Sequence, residues 1–210
     1  MRGRLVVLEG GEACGKSTQA ALLAPRLEAV LTREPGGTVV GERIRALVLH
    51  AELGAGLDDR AEALLMAAAR AQHVVEVLAP ALAGGRHVVC DRFIGSSLAY
   101  QGFGRGLPVK DLLALSAFAT AGLDADLVVL LDLPPAEAWV RRGAVPDRLE
   151  AAGAAFHQRV REGFAALAAG DPGRWVVVDA TGSAEEVAER VWDAVSKQLR
   201  LPLGVPDDTG

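Results

Sequence analysis

Five short apolar runs alternate with longer stretches of helical periodicity along this chain of 210 residues. The runs occupy residues 5–8, 29–32, 87–90, 127–131 and 175–178. Apolar and polar residues do not alternate within them, which is typical of parallel strands that helices cover on both faces. Helical periodicity covers residues 61–82, 109–121, 151–169 and 184–199. The pattern predicts an α/β fold in which helices flank a five-stranded parallel sheet.

Composition and charge limit the partners that we expect. The formal net charge of -5 argues against a surface built to bind a nucleic-acid polymer or an anionic membrane, and favours small molecules. Cys14 and Cys90 form no disulfide or metal-ligand pattern, and no signal-like N-terminus or membrane-length apolar stretch is evident, so we expect a cytoplasmic protein. We predict one domain over residues 1–200 and a disordered tail at 201–210, which is rich in proline, glycine and aspartate.

A glycine-rich loop follows the first apolar run directly. Residues 10–17 fit the pattern G-x-x-x-x-G-K-[ST] and lead into a helical stretch at 17–27. In such a loop the backbone N–H groups bind phosphate oxygens, the lysine bridges the β- and γ-phosphates, and the serine ligates Mg²⁺. The residues predicted to bind the triphosphate are Gly10, Gly11, Glu12, Ala13, Cys14, Gly15, Lys16, Ser17 and Thr18.

The other residues narrow the class of phosphate-binding protein. A GTPase would need a guanine-reading Asn-Lys-x-Asp, and none of the three lysines lies in one. A motor or pump ATPase would normally have a larger body, whereas the arginine-rich second half suits a second anionic substrate. Asp91 and Arg92 directly follow the third apolar run, where a parallel strand opens onto the ligand crevice. We therefore favour a small-molecule kinase that uses ATP and Mg²⁺.

Three segments resemble the thymidylate kinase family. Residues 91–101 read Asp-Arg-Phe-x-x-Ser-x-x-Ala-Tyr-Gln, residues 32–38 read Thr-Arg-Glu-Pro-Gly-Gly-Thr, and residues 70–73 read Arg-Ala-Gln-His. The resemblance runs from the glycine-rich loop almost to residue 199. It implies transfer of the γ-phosphoryl group of MgATP to dTMP, which gives dTDP and ADP for dTTP synthesis.

The resemblance also implies roles for residues of the acceptor site. Arg33 and Arg92 match arginines that hold the acceptor phosphate, a task that suits a bidentate guanidinium. Glu12 matches the acidic residue that holds the sugar 3′-hydroxyl, and Tyr100 matches the ring that leaves no room for a 2′-hydroxyl. Asp91 matches a carboxylate that orients Arg92 or, through water, Mg²⁺. The residues expected to contact the thymine are Met66, Arg70, Ser97 and Gln101.

Two positions depart from the family's pattern. Met66 stands where a phenylalanine usually stacks on the base, so we expect weaker stacking. Gly95 stands where the family often has an aspartate, which removes one carboxylate from the acceptor side.

A mobile lid is expected at about residues 136–150, shorter than is usual in the family. Because the glycine-rich loop lacks the arginine that some relatives have there, lid arginines would have to meet the transition-state charge. The candidates are Arg141, Arg142 and Arg148. Thr181 and Gly182, after the fifth strand, are expected to border the adenine.

Two alternative functions stay open on the sequence. The chain could be a kinase for another nucleoside monophosphate, or a non-enzymatic nucleotide-binding regulator that kept the loop and lost transfer. Met66, Gly95 and the short lid are the only support for the regulator. A homodimer is expected as well, mainly by analogy with the family, with apolar surface on the alanine-rich helices in its favour.

Overall fold

A computed structural model describes residues 2–141 and 147–200. Its strands are β1 (Leu5–Gly10), β2 (Val30–Arg33), β3 (Val88–Asp91), β4 (Leu127–Asp132) and β5 (Trp175–Asp179). They form one sheet in the order β2-β3-β1-β4-β5, and every neighbouring pair is parallel. The predicted five-stranded parallel sheet is thereby confirmed, and the predicted strand positions agree with it to within two residues.

Helices fill the connections between the strands. They are α1 (Lys16–Arg26), α2 (Val39–Leu49), α3 (Asp59–His73), α4 (Ala79–Ala83), α5 (Ile94–Ser97), α6 (Val109–Thr120), α7 (Pro135–Arg141), α8 (Ala154–Gly170) and α9 (Ala184–Leu199). A π-helical turn, Val74–Leu78, joins α3 to α4, and a second one, Leu98–Gly104, continues α5. The predicted helix at 61–82 is thus one helical segment with a π-helical turn inside it.

The central strand β1 is buried on both faces. Val6 and Leu8 pack towards α1 and α9 on one face of the sheet. Leu5 and Val7 pack on the other face, against the segment that contains Leu78. This arrangement follows from the strand period of two residues, and it explains why the run is apolar throughout.

The C-terminal ends of three strands meet at one edge of the sheet. Leu8 pairs with Asp91 across β1 and β3, and Arg33 pairs with the same Asp91 across β2 and β3. The glycine-rich loop leaves β1 at this edge and ends where α1 begins. The sheet register therefore brings the loop, Asp91 and Arg33 to one place.

Some predictions fall on residues that the structure does not describe. Arg142 and the expected tail at 201–210 lie outside the described residues, and the expected lid is described only at 136–141 and 147–150. Within the described ranges, no helix combines the length and apolar character needed to cross a membrane.

Candidate active site

A cleft of about 390 Å³ opens at the edge of the sheet where β1, β2 and β3 end. The glycine-rich loop, the start of the β2–α2 connection, one face of α3 and the segment 91–101 line it. The predicted site residues that line the cleft are Glu12, Ala13, Gly15, Lys16, Ser17, Thr18, Arg33, Met66, Arg70, Asp91, Arg92, Ser97, Tyr100 and Gln101. Residues predicted from separate motifs therefore share one cavity.

The glycine-rich loop has a backbone shape that its glycines make possible. Gly10 has a φ of 145°, and a Cβ at this position would lie 2.6 Å from the carbonyl oxygen of Leu131. Gly15 has a φ of 88° and precedes α1, whose first N–H groups have no partner within the helix. Lys16 lies across the loop and donates from Nζ to the carbonyl oxygen of Gly11 at 2.5 Å. The loop thus surrounds a cation at a helix N-terminus, an arrangement suited to a polyphosphate.

Ser17 and Asp91 supply oxygen atoms beside this loop. The Ser17 hydroxyl donates to Asp91 Oδ2 at 2.5 Å. The other carboxylate oxygen, Oδ1, is buried and has no hydrogen-bond partner among residues 2–141 and 147–200. A buried oxygen without a partner costs free energy unless water or a cation meets it. Because Mg²⁺ prefers oxygen ligands and keeps several waters, this pair fits a magnesium site.

Arg92 connects the loop to the segment that follows β3. Its Nη2 donates to Glu12 Oε1 at 2.8 Å, and its Nη1 donates to the Gly10 carbonyl oxygen at 3.2 Å and to Ser96 Oγ at 3.1 Å. The guanidinium carbon also lies 5.0 Å from the ring centroid of Tyr100. Arg92 itself has a φ of 72°, an unfavourable backbone conformation for a residue with a Cβ. Such strain persists where the surroundings hold the residue, which is common at functional sites.

Glu12 is ionised at neutral pH because of these neighbours. Burial alone would raise its pKa, but Arg92 and Lys16, with a hydrogen bond from the Tyr100 hydroxyl, lower that pKa to about 2. Burial, together with Glu12, raises the pKa of Tyr100 well above its usual value, so the phenol keeps its proton. Glu12 can therefore accept a further hydrogen bond from a hydroxyl group in the cleft.

Besides Arg70, three arginines line the cleft. Arg33 and Arg92 were predicted, and Arg45 of α2 lines the same cavity. Burial lowers the pKa of Arg45, and the charges of Arg33 and Arg92 lower it further. Because like charges held this close repel one another, the arrangement favours an anion between them. Sequence reasoning missed Arg45 because α2 itself was not predicted, although Ile44 and Val48 have helical spacing.

A buried polar network holds Arg70 in place. Its Nε donates to Glu34 Oε2 at 2.8 Å, and its Nη2 donates to the Phe93 carbonyl oxygen at 3.0 Å and to Ser97 Oγ at 2.9 Å. Glu34 in turn contacts His73, which is fully buried. Among residues 2–141 and 147–200, no hydrogen bond involves Nη1, so this nitrogen can donate into the cleft.

Comparisons with known proteins show the family of this chain. The family model described as thymidylate kinase matches residues 8–191. The chain belongs to the thymidylate kinase family. The thymidylate kinase of Synechococcus sp. (strain JA-3-3Ab) is 51% identical over 206 residues, which cover 96% of this chain and 99% of that protein. The thymidylate kinase of Deinococcus radiodurans is 48% identical, with 94% and 98% covered. The crystal structure of thymidylate kinase from Ehrlichia chaffeensis matches with a TM-score of 0.77 and 30% identity, over 93% of this chain and 100% of that chain.

The two departures from the pattern of the thymidylate kinase family have structural settings. Met66 lines the cleft, and its contact with the base stays a prediction. A Cβ at Gly95 would lie 2.7 Å from the Trp175 ring and 2.8 Å from Glu9 Oε1, so an aspartate there would require these side chains to shift. The buried carboxylate of Glu9 accepts from the backbone N–H groups of Phe93 and Ser96, at 3.0 and 2.9 Å. Glu9 thus holds the segment that carries Arg92, a role that the sequence did not reveal.

The described lid arginines do not line the cleft. Arg141 donates to the carbonyl oxygens of Ala180 and Gly182, at 3.0 Å each. Arg148 donates to the Val48 carbonyl oxygen at 2.7 Å and forms an ion pair with Glu62. Their role in transfer therefore stays a prediction that requires both side chains to leave these partners.

The residues expected to border the adenine also lie outside the cleft. Thr181 bonds Asp179, and Gly182 accepts from Arg141, but neither residue lines the cleft described above. Gly10, Gly11 and Cys14 are also outside the lining, and the Cys14 side chain packs in the core. Contact of Thr181 and Gly182 with adenine stays a prediction.

Proposed function

We propose that this protein transfers the γ-phosphoryl group of MgATP to dTMP, giving dTDP and ADP as a step in dTTP synthesis. The bond from Arg92 to Glu12 carries the proposal most directly, because it joins the acceptor side of the cleft to the triphosphate loop. Two nucleotides bound on either side of this pair would meet at their phosphates. Family membership supports the same reaction and ATP as the donor.

Phosphoryl transfer requires the protein mainly to position the two nucleotides and to neutralise the charge of their phosphates. Lys16 and the N–H groups at the start of α1 would hold the β- and γ-phosphates. Arg33, Arg45 and Arg92 would hold the acceptor phosphate. Ser17 and Asp91 would hold Mg²⁺, partly through water. When bound, this ion offsets negative charge on the phosphate oxygens. Glu12 would accept a hydrogen bond from the 3′-hydroxyl, while the Tyr100 ring would lie against the deoxyribose.

An acceptor profile tests the proposed reaction. With MgATP and each monophosphate in turn, a coupled assay of ADP release is expected to give a kcat/KM at least about tenfold higher for dTMP than for UMP, because Tyr100 excludes a 2′-hydroxyl. Equal values for dTMP and UMP would contradict the assignment of Tyr100. A lack of ADP release with every monophosphate would favour the nucleotide-binding regulator instead.

A lid over residues 136–150 completes the proposed domain, which spans residues 1–200. Closure would exclude water from the phosphates and would bring Arg141 or Arg148 towards them. Run without an acceptor, the same assay measures ATP hydrolysis. We expect that rate to be a small fraction of the transfer rate if closure depends on the second nucleotide. The tail at 201–210 has no role in this proposal.

We further propose a cytoplasmic homodimer. Phe118 on α6 is 87% exposed, and Leu64 on the neighbouring α3 is 58% exposed, so these helices offer apolar surface for a second copy. Both cysteines are buried and unpaired, which fits a reducing compartment. Sedimentation velocity is expected to give twice the mass of one chain, and Phe118→Asp is expected to halve it. A wild-type monomer at micromolar concentration would contradict the dimer.

A further inference from the structure

A stripe along α3 faces the segment 97–101 across the cleft. Glu62, Met66 and Arg70 follow one another at intervals of four residues and so share one face of the helix. Arg70 contacts Ser97 near one end of this stripe, and Glu62 contacts Gln101 near the other end. Met66, Arg70 and Gln101 line the cleft, whereas Glu62 is fully buried behind it.

The contact between Glu62 and Gln101 has only one chemically reasonable orientation. Gln101 Nε2 donates to Glu62 Oε1 at 2.8 Å. Burial alone would raise the pKa of Glu62, but hydrogen bonds from Gln101 and Arg148, together with Arg105, lower it overall. Glu62 is therefore an anion that can only accept, and it requires the NH₂ side of the Gln101 amide. The carbonyl oxygen of Gln101 is then the amide atom left for the cleft.

We propose that Glu62 is a positioning residue for acceptor specificity: it fixes the Gln101 amide so that a hydrogen-bond acceptor, and not a donor, faces the base. The inference rests on the proposed function, since it concerns the base of the acceptor nucleotide. Arg70 presents a donor from the other end of the stripe, and Met66 supplies apolar surface between the two. The cleft thus offers a donor and an acceptor whose order is fixed by buried carboxylates.

A donor from Arg70 beside an acceptor from Gln101 complements one class of pyrimidine. Thymine and uracil present an acceptor at O4 beside a donor at N3–H, whereas cytosine presents a donor at N4 beside an acceptor at N3. An amide that was free to rotate could accept a hydrogen bond from N3–H of thymine or uracil, or donate one to N3 of cytosine. A buried carboxylate that accepts only the NH₂ side prevents the rotation, so cytosine would leave Gln101 and Arg70 without partners.

The test compares dUMP with dCMP, because both lack the methyl group and differ at the edge that Gln101 and Arg70 would face. The wild-type enzyme is expected to favour dUMP by at least about a hundredfold in kcat/KM. In Glu62→Gln the carbonyl of the introduced amide is expected to face Arg105 and Arg148, so the NH₂ group of the introduced amide faces Gln101. The Gln101 amide then turns around to present its carbonyl to that NH₂ group. The dUMP to dCMP ratio is expected to fall by about tenfold or more, while the KM for ATP stays within about twofold.

Two comparisons separate this role from general support of the fold. Asp59→Asn makes the same chemical change three residues earlier, at a side chain that pairs with Arg105 but not with Gln101, and should leave the ratio unchanged. In a Gln101→Leu background, Glu62→Gln should no longer alter the ratio, because the amide through which it acts is gone.

The outcomes are distinguishable from failure of the proposed function. If the wild-type enzyme phosphorylates no dTMP, the proposed function fails. If it phosphorylates dTMP but Glu62→Gln keeps the wild-type ratio, or the wild-type enzyme accepts dUMP and dCMP equally, this inference alone is overturned. Should Glu62→Gln not fold, as judged by thermal unfolding, Glu62→Asp serves instead. It keeps the anion but withdraws it from Gln101 by one methylene, and an unchanged ratio there overturns the inference as well.

Discussion

Lys16→Ala is expected to reduce kcat for phosphoryl transfer by about a thousandfold or more while leaving the fold intact. Lys16 is the cation inside the glycine-rich loop, where its Nζ donates to the Gly11 carbonyl oxygen. With ATP bound, that ammonium would neutralise charge that develops as the γ-phosphoryl group moves. The coupled ADP-release assay with dTMP measures the loss, and the thermal midpoint checks the fold.

Lys110→Ala is the matched control for this prediction. Lys110 is an exposed residue of α6 that does not line the cleft, and it is one of only three lysines in the chain. Its substitution is expected to leave kcat unchanged. A Lys16→Ala enzyme that kept its wild-type rate would contradict the assignment of the loop to the triphosphate.

Arg92→Lys is expected to lower kcat/KM for dTMP by about a hundredfold, although the charge is conserved. The guanidinium spans Glu12, the Gly10 carbonyl oxygen and Ser96 Oγ at once, and an ammonium cannot reach all three from one position. Loss of two charge-assisted hydrogen bonds at about 1.5 kcal/mol each corresponds to roughly two decades. Steady-state kinetics with dTMP varied, and then with ATP varied, separate the two substrates.

Most of this loss should appear in the KM for dTMP and in kcat, with the KM for ATP changed by about threefold or less. Arg86→Lys, at an exposed position in the turn before β3, makes the same substitution outside the cleft and is expected to be neutral. An equal rise in the KM for both nucleotides would indicate that Arg92 supports the whole cleft and not the acceptor in particular.

The sheet could be predicted from sequence because burial on both faces leaves an unmistakable pattern. Residues 5–8 and 127–131 are apolar at every position, and both runs became central strands. The helix α2 escaped prediction because only Gly41, Ile44 and Val48 are buried there, and apart from the half-buried Leu49 the rest of the helix is polar or exposed. Its N-cap, Thr38, accepts from the N–H of Gly41 and was a usable signal.

The site was predictable where a motif fixes the backbone, and less so where a contact joins distant parts of the chain. The glycine-rich loop and Asp91-Arg92 lie at strand ends, so their positions followed from the fold. Glu62 and Arg148 are 86 residues apart, and no local pattern indicates that they form an ion pair. Glu9 was hidden for a different reason, because a single carboxylate in an apolar strand does not reveal what it holds.

The position of Glu9 has a consequence for how the two substrates are kept in line. Glu9 and Gly10 are covalent neighbours. Glu9 binds the segment that carries Arg92, while Gly10 begins the glycine-rich loop that we propose to bind the triphosphate. The sites for the phosphate donor and the phosphate acceptor are thereby both anchored to the peptide unit that joins Glu9 to Gly10. Small shifts between neighbouring strands would carry both nucleotides together, and the gap that the phosphoryl group crosses would keep its length.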